Sequence, residues 1–261
     1  MLNKLLKHEF KATARLLIPL YLILLAFTIM DRIVLNLNIF KGVLSIIPGL
    51  ITFGYVISII AVIMVTFILM IMRFYKNLMT DEGYLMFTLP VKSHQLINSK
   101  LLVSIMWTVA SVLAVIASIF VVAAAPEDIR EITQGLKYFW EELNKEFGGK
   151  VLLLIIEFII IVILVLINSM LMIYVSIAVG QLFNGHKLIG AFAAYIGITT
   201  VLQIVMSIFI FIASPIFEET LTTFSSIPNL VFPITIFILI GLNVAFYWVT
   251  DYIFKKKLNL E

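Results

Sequence analysis

No cysteine occurs anywhere in the chain, which excludes disulfides, thiolate nucleophiles, thiolate zinc sites and iron–sulfur ligation and says nothing of redox compartment. Charge is nearly as scarce. Only 13% of residues are Asp, Glu, Lys or Arg, about half the usage of soluble domains, and the net charge is +3. A basic groove for nucleic acid is therefore not expected. A phosphate-binding loop is missing too, because Gly148-Gly149-Lys150 lacks both the spacing and the following Ser or Thr. What fills the chain instead is apolar: 62% of its 261 residues are hydrophobic. Several uncharged runs exceed the roughly 20 residues needed to cross a hydrocarbon layer about 30 Å thick. These features predict an all-α integral membrane protein, organised as one transmembrane domain over residues 1–261 with no separate soluble catalytic domain.

Six spans are expected. The first starts near Leu16 and must carry Asp31 and Arg32 toward its far end to be long enough. The second lies within Gly42 to Met72, the third covers Leu101 to Ala125, and the fourth lies within Val151 to Asn184 with a single charge, Glu157. The fifth runs from Leu188 to Ala213 and the sixth from Val231 to Thr250. Before the first span, residues 1–15 read as an amphipathic interfacial helix. Leu2, Leu5, Leu6 and Phe10 form one face and Lys4, Lys7, Lys11 and Arg15 another. The triplet Ala12-Thr13-Ala14 precedes the apolar run instead of following it, so this segment is expected to stay attached. Between spans three and four, residues 126–150 read as a second amphipathic helix, outside the membrane. It opens on Pro126, Glu127 and Asp128, carries the stripe Ile129, Ile132, Leu136, Trp140, Leu143 and Phe147, and ends at Gly148-Gly149. Ser214 to Pro228, punctuated by Pro215 and Pro228, reads as a short re-entrant or interfacial element.

Orientation follows from the basic residues. With the amino terminus inside, the inner segments carry twelve lysines and arginines and the outer ones six, which predicts both termini in the cytoplasm and a multi-pass protein of the plasma membrane. His8, His94 and His186 then all fall in cytoplasmic segments and cannot complete a metal site within the membrane.

The inner connection over residues 73–100 holds Asp81-Glu82-Gly83-Tyr84-Leu85-Met86-Phe87-Thr88-Leu89-Pro90-Val91. Acids, a glycine and large apolar residues share a segment that should face water. From the residues alone it fits equally an interfacial stretch dipping into lipid and a docking surface for a soluble partner.

With this loop, the chain resembles the membrane (permease) subunit of an ATP-binding-cassette transporter of the type-2 exporter family. The shared features are the basic amphipathic amino-terminal helix, the six spans, and the loop reading Asp-Glu-Gly-Tyr, then Leu89-Pro90, then Ser99-Lys100 opening span three. A punctuated outer segment before the last span completes the likeness. It covers the whole chain in layout and is strongest from Asn77 to Leu102. The resemblance implies a coupling helix over Tyr75 to Phe87 that seats in a groove of a cytoplasmic ABC ATPase subunit, with Tyr75, Asp81, Glu82, Gly83, Tyr84 and Phe87 as the coupling residues. It further implies a second permease copy or a homologous permease as partner. No cofactor is expected on this chain, with ATP and Mg bound by the separate ATPase. Outward movement of an amphipathic cargo, a peptide as first guess, is the implied activity, so the chain itself is not expected to be an enzyme.

Glu157 lies roughly 10 Å inside the outer end of span four. An intramembrane acid is costly and marks a candidate site, and Arg32 should lie at similar depth, which predicts an Arg32–Glu157 pair. Small-residue patterns such as Ala110-x3-Ala114-x3-Ser118, Ser176-x3-Gly180 and Ala193-x3-Gly197 suit close helix packing, and membrane lipids should cover the remaining helix faces. Phe53, Tyr55, Tyr174, Tyr195, Phe209 and Phe211 fit bundle packing better than a substrate path, and Trp107, Trp140 and Trp248 include interfacial anchors. The rival readings are a self-contained carrier or channel and an intramembrane glutamate protease. The first has few charges to mark an ion path. The second lacks a basic residue after its glutamate pairs: Glu141-Glu142 is followed by Glu146 where an arginine is wanted.

Overall fold

The computed structural model describes residues 2–37, 46–79, 92–123, 126–183, 185–221 and 227–256. Among them the chain is helical throughout, with no strand. In order come α1 (Leu2–Leu37), α2 (Ile46–Met79), α3 (Ser93–Val122), α4 (Pro126–Phe147), α5 (Val151–Gly180), α6 (Lys187–Leu221) and α7 (Phe232–Lys256). A single turn, Gly148–Lys150, joins α4 to α5, and a π turn, Ile227–Val231, leads into α7. Six helical stretches are long and apolar enough to cross a membrane, the multi-pass layout that the uncharged runs predict.

The uncharged runs end before the helices do. α2 continues to Met79 and α3 begins at Ser93, because a charged side chain ends hydrophobicity without breaking the backbone ladder. For the same reason nothing separates residues 1–15 from the first span: α1 is one helix of 36 residues, with Pro19 inside it. α4 stops where the glycines stand, and Gly148 adopts φ +54°, the left-handed conformation that ends helices at little cost in glycine. The expected re-entrant element is in its first part a continuation of α6, which passes over Pro215 to Leu221; residues 222–226 lie outside the described set.

The helices divide into two compact units. Residues 1–73 and 98–136 form the first, residues 74–97 and 137–261 the second. In the first, Leu24, Tyr55, Val62 and Val115 form the apolar core, with Leu20, Phe27, Ile59 and Ala114 against them. In the second, α5 packs against both α6 and α7. Its core contains Met170, Leu171, Tyr174, Phe246 and Phe254, and Phe74 stacks on Tyr174 with ring centroids 3.6 Å apart. Gly180 admits the close approach of α6: a Cβ there would lie 2.5 Å from the backbone nitrogen of Ala191. The Ser176-x3-Gly180 pattern is thus a packing device, whereas Gly197 has nothing within 4 Å of its Cβ position.

Candidate functional site

The first unit is held together by a seam of polar side chains running the length of α1, α2 and α3. At the amino-terminal end, Glu9 is buried on α1 and accepts on both carboxylate oxygens. Lys100 of α3 donates to Oε1, and Arg73 of α2 donates to Oε2 through Nε at 3.3 Å and Nη2 at 3.2 Å. One turn further along α1, Trp107 Nε1 donates to Thr13 Oγ1 at 2.7 Å while its ring stacks on Phe10. Trp107 is therefore buried in the first unit, whereas Trp140 and Trp248 are exposed.

Midway, three hydroxyls form a directed chain. Thr66 donates its one proton to the Val62 carbonyl at 2.6 Å, so it accepts from Ser111 at 2.8 Å, and Ser111 accepts in turn from Tyr21 at 2.7 Å. By the same count Tyr55 donates to Ser118, whose own proton goes to the Val115 carbonyl. At the far end, Thr52 donates to Asp31 Oδ1 at 2.6 Å and Arg32 Nη1 donates to the Val122 carbonyl at 3.0 Å. Polar side chains hold apolar helices together in lipid, where helix association has no hydrophobic driving force.

The seam is about as long as a hydrocarbon layer is thick. Glu9 to Asp31 on α1, Arg73 to Thr52 on α2 and Lys100 to Val122 on α3 each span about 32–33 Å at the rise of an α-helix, close to the hydrocarbon thickness of about 30 Å. Each helix therefore carries polar groups of the seam about one such thickness apart. On α1, Phe10 and Thr13 both contact Trp107 of α3, so this part of the amino-terminal stretch packs within the first unit.

Of the residues singled out in the sequence, Tyr75 is half-buried on α2. Asp81, Glu82, Gly83, Tyr84 and Phe87 lie outside the described residues. Arg32 and Glu157 fall in different units: Arg32 is engaged by the Val122 carbonyl, and Glu157 Oε2 is buried with no hydrogen-bond partner among the described residues. Of the aromatics read as bundle packing, Tyr55 and Tyr174 are core residues, each in its own unit, while Phe53, Phe209 and Phe211 are exposed. In the second unit, Asn243 pairs with Asn168 at 3.0 Å and donates to the Leu164 carbonyl, and Asp251 accepts from Ser93 at 2.6 Å and from Lys255. No group of three or more potential metal ligands occurs among the described residues.

Sequence reasoning missed Glu9 because it weighed only the basic and apolar faces of the first helix. The signal was there: Glu9 is a lone acid among Lys4, Lys7, Lys11 and Arg15. The hydroxyl ladder also has one, since Ser104, Ser111 and Ser118 recur every seven residues and so share a face of α3. No protein family, curated protein or solved structure matches the chain.

Proposed function

We propose that the protein is the transmembrane subunit of an ATP-binding-cassette exporter of the type-2 kind. The observation that carries the reading is the Glu9 cluster. The connection over residues 80–91, with its Asp81-Glu82-Gly83-Tyr84 run, joins α2 to α3, and Glu9 fastens α1 to Arg73 and Lys100 on those same two helices. A push delivered to that connection is thereby carried to α1 through a buried carboxylate. This is the mechanical requirement for coupling a soluble motor to a membrane bundle.

In this reading the connection is the coupling element, with Tyr75, Asp81, Glu82, Gly83, Tyr84 and Phe87 facing a cytoplasmic ATPase subunit that binds ATP and Mg. Two permease chains pair in the plasma membrane, with their termini in the cytoplasm, and alternate between inward-open and outward-open forms. An amphipathic peptide is the first cargo to test. The amphipathic stripe of α4, where Ile129, Leu136 and Trp140 are exposed, suits the outer membrane interface.

Co-expression with ABC ATPases from the same genome, followed by purification through a tag on this chain, tests the proposal. An ATPase co-purifying near one-to-one, and released by Glu82→Lys or Gly83→Trp in folded protein, supports it. If no ATPase binds and the loop variants behave as wild type, the coupling assignment fails and a self-contained carrier becomes the better reading.

A further inference from the structure

Beside the seam, between α1 and α3, lies an open groove of about 540 Å³. Its floor is apolar, built from Phe10 and Ala14 of α1 with Val103 and Met106 of α3, and Lys7 and Lys11 stand on its rim. The two lysines are one helical turn apart on the same side of α1, are exposed, and form no ion pair among the described residues. The only acid nearby in sequence, Glu9, points the other way and is already neutralised by Arg73 and Lys100. Among the described residues, nothing offsets the positive charge of the rim.

We infer that this groove is a binding site for one anionic phospholipid of the leaflet at the amino-terminal end of α1. Its level decides the occupant. The groove lies near Glu9 and Trp107 at the amino-terminal end of the seam, and an apolar floor under a cationic rim matches the place where acyl chains give way to headgroups. An acyl chain fits the floor, and the phosphate falls between the Lys7 and Lys11 ammonium groups. A zwitterionic lipid brings its own ammonium to the same rim and is disfavoured, since each lysine near the surface favours anionic lipid severalfold. The site depends only on the chain lying in a membrane and stands apart from the exporter proposal.

Trp107 reports on the groove directly, because its ring stacks on Phe10 at 4.8 Å. With Trp140→Phe and Trp248→Phe in the full chain, Trp107 is the sole tryptophan left. The protein is placed in phosphatidylcholine vesicles, and brominated phosphatidylglycerol or brominated phosphatidylcholine is titrated in as a quencher. Brominated phosphatidylglycerol should quench Trp107 at about tenfold lower mole fraction than the zwitterionic lipid. Lys7→Gln with Lys11→Gln should abolish the difference, and Lys7→Arg with Lys11→Arg should keep it. Lys137→Gln with Lys145→Gln, on exposed lysines of α4, should leave it unchanged. Equal quenching by the two lipids overturns the proposal, as does an undiminished preference in the Lys7→Gln, Lys11→Gln variant. Relief of quenching by millimolar glycerol phosphate also overturns it, since the groove would then read a free phosphate and not a lipid.

Discussion

Replacing Glu9 by glutamine tests the seam at its most charged point. The substitution keeps the shape and one carbonyl acceptor but removes the anion from between two cations. Lys100 suffers most, since its side chain is only 4% exposed and its ammonium group faces the Glu9 carboxylate. Arg73, at 21%, can recover water more readily. Taking one charge from a buried ion pair costs about 3–5 kcal/mol. Glu9→Gln should therefore destabilise the protein by that amount, measured by reversible unfolding in micelles of rising sodium dodecyl sulfate fraction with tryptophan fluorescence as the probe. Lys100→Met alone should cost less, because Arg73 still faces Glu9. Combined with Glu9→Gln it should recover much of the loss, because the buried ammonium is gone. The coupling between the two changes should reach about 2 kcal/mol. A Glu9→Gln protein within about 0.5 kcal/mol of wild type would refute the reasoning, as would two changes that simply add.

Four further outcomes follow from the packing. Thr66→Val should cost about 0.6 kcal/mol and at most about 1.7, the range for interhelical hydrogen bonds in lipid, and should lose most of its effect in a Ser111→Ala background, as unfolding in the same micelles would read. Gly180→Ala should destabilise the second unit by about 1–3 kcal/mol through overpacking against Ala191, while Gly197→Ala, where a Cβ meets nothing, should stay within about 0.5 kcal/mol of wild type. Asn243→Ala takes the acceptor from Asn168 and the extra donor from the Leu164 carbonyl, and should lower the thermal midpoint more than Asn168→Ala, which leaves Asn243 its bond to that carbonyl. Thr13→Val removes the acceptor for the buried Trp107 indole and should lower the midpoint by an amount equivalent to about 1–2 kcal/mol; an unchanged midpoint would show that this bond carries no net stability.

Hydrophobicity made the spans legible, because a run of twenty uncharged residues has few places to go but lipid. Capping chemistry made the boundary at Phe147 legible, through Pro126 in front and Gly148 behind. The ends of α2 and α3 were not, since charges at Arg73 and Lys100 mark where an apolar run stops and not where hydrogen bonding does. The seam was hidden for another reason. Tyr21, Thr66 and Ser111 are single polar residues in otherwise apolar helices, and which of them meet depends on helix rotation and register, quantities that three separate periodicities do not encode. Arg32 shows the same limit. Its depth suggested a carboxylate partner, and periodicity could not foresee that a backbone carbonyl at the end of α3 accepts from its guanidinium.

The matched lengths of the three seam helices make the first unit a ruler. About 33 Å separates the polar groups at the two ends, slightly more than a hydrocarbon layer of about 30 Å, so the helices meet it by leaning or by thickening it locally. Because Glu9, Arg73 and Lys100 are tied at one end, no helix can lean alone. A thinner bilayer must tilt the trio as a block or thicken locally around it, and a thicker one must draw charged ends inward. The protein should accordingly be most stable at one acyl chain length, and that length can be read from the spacing between a glutamate and an aspartate on its first helix.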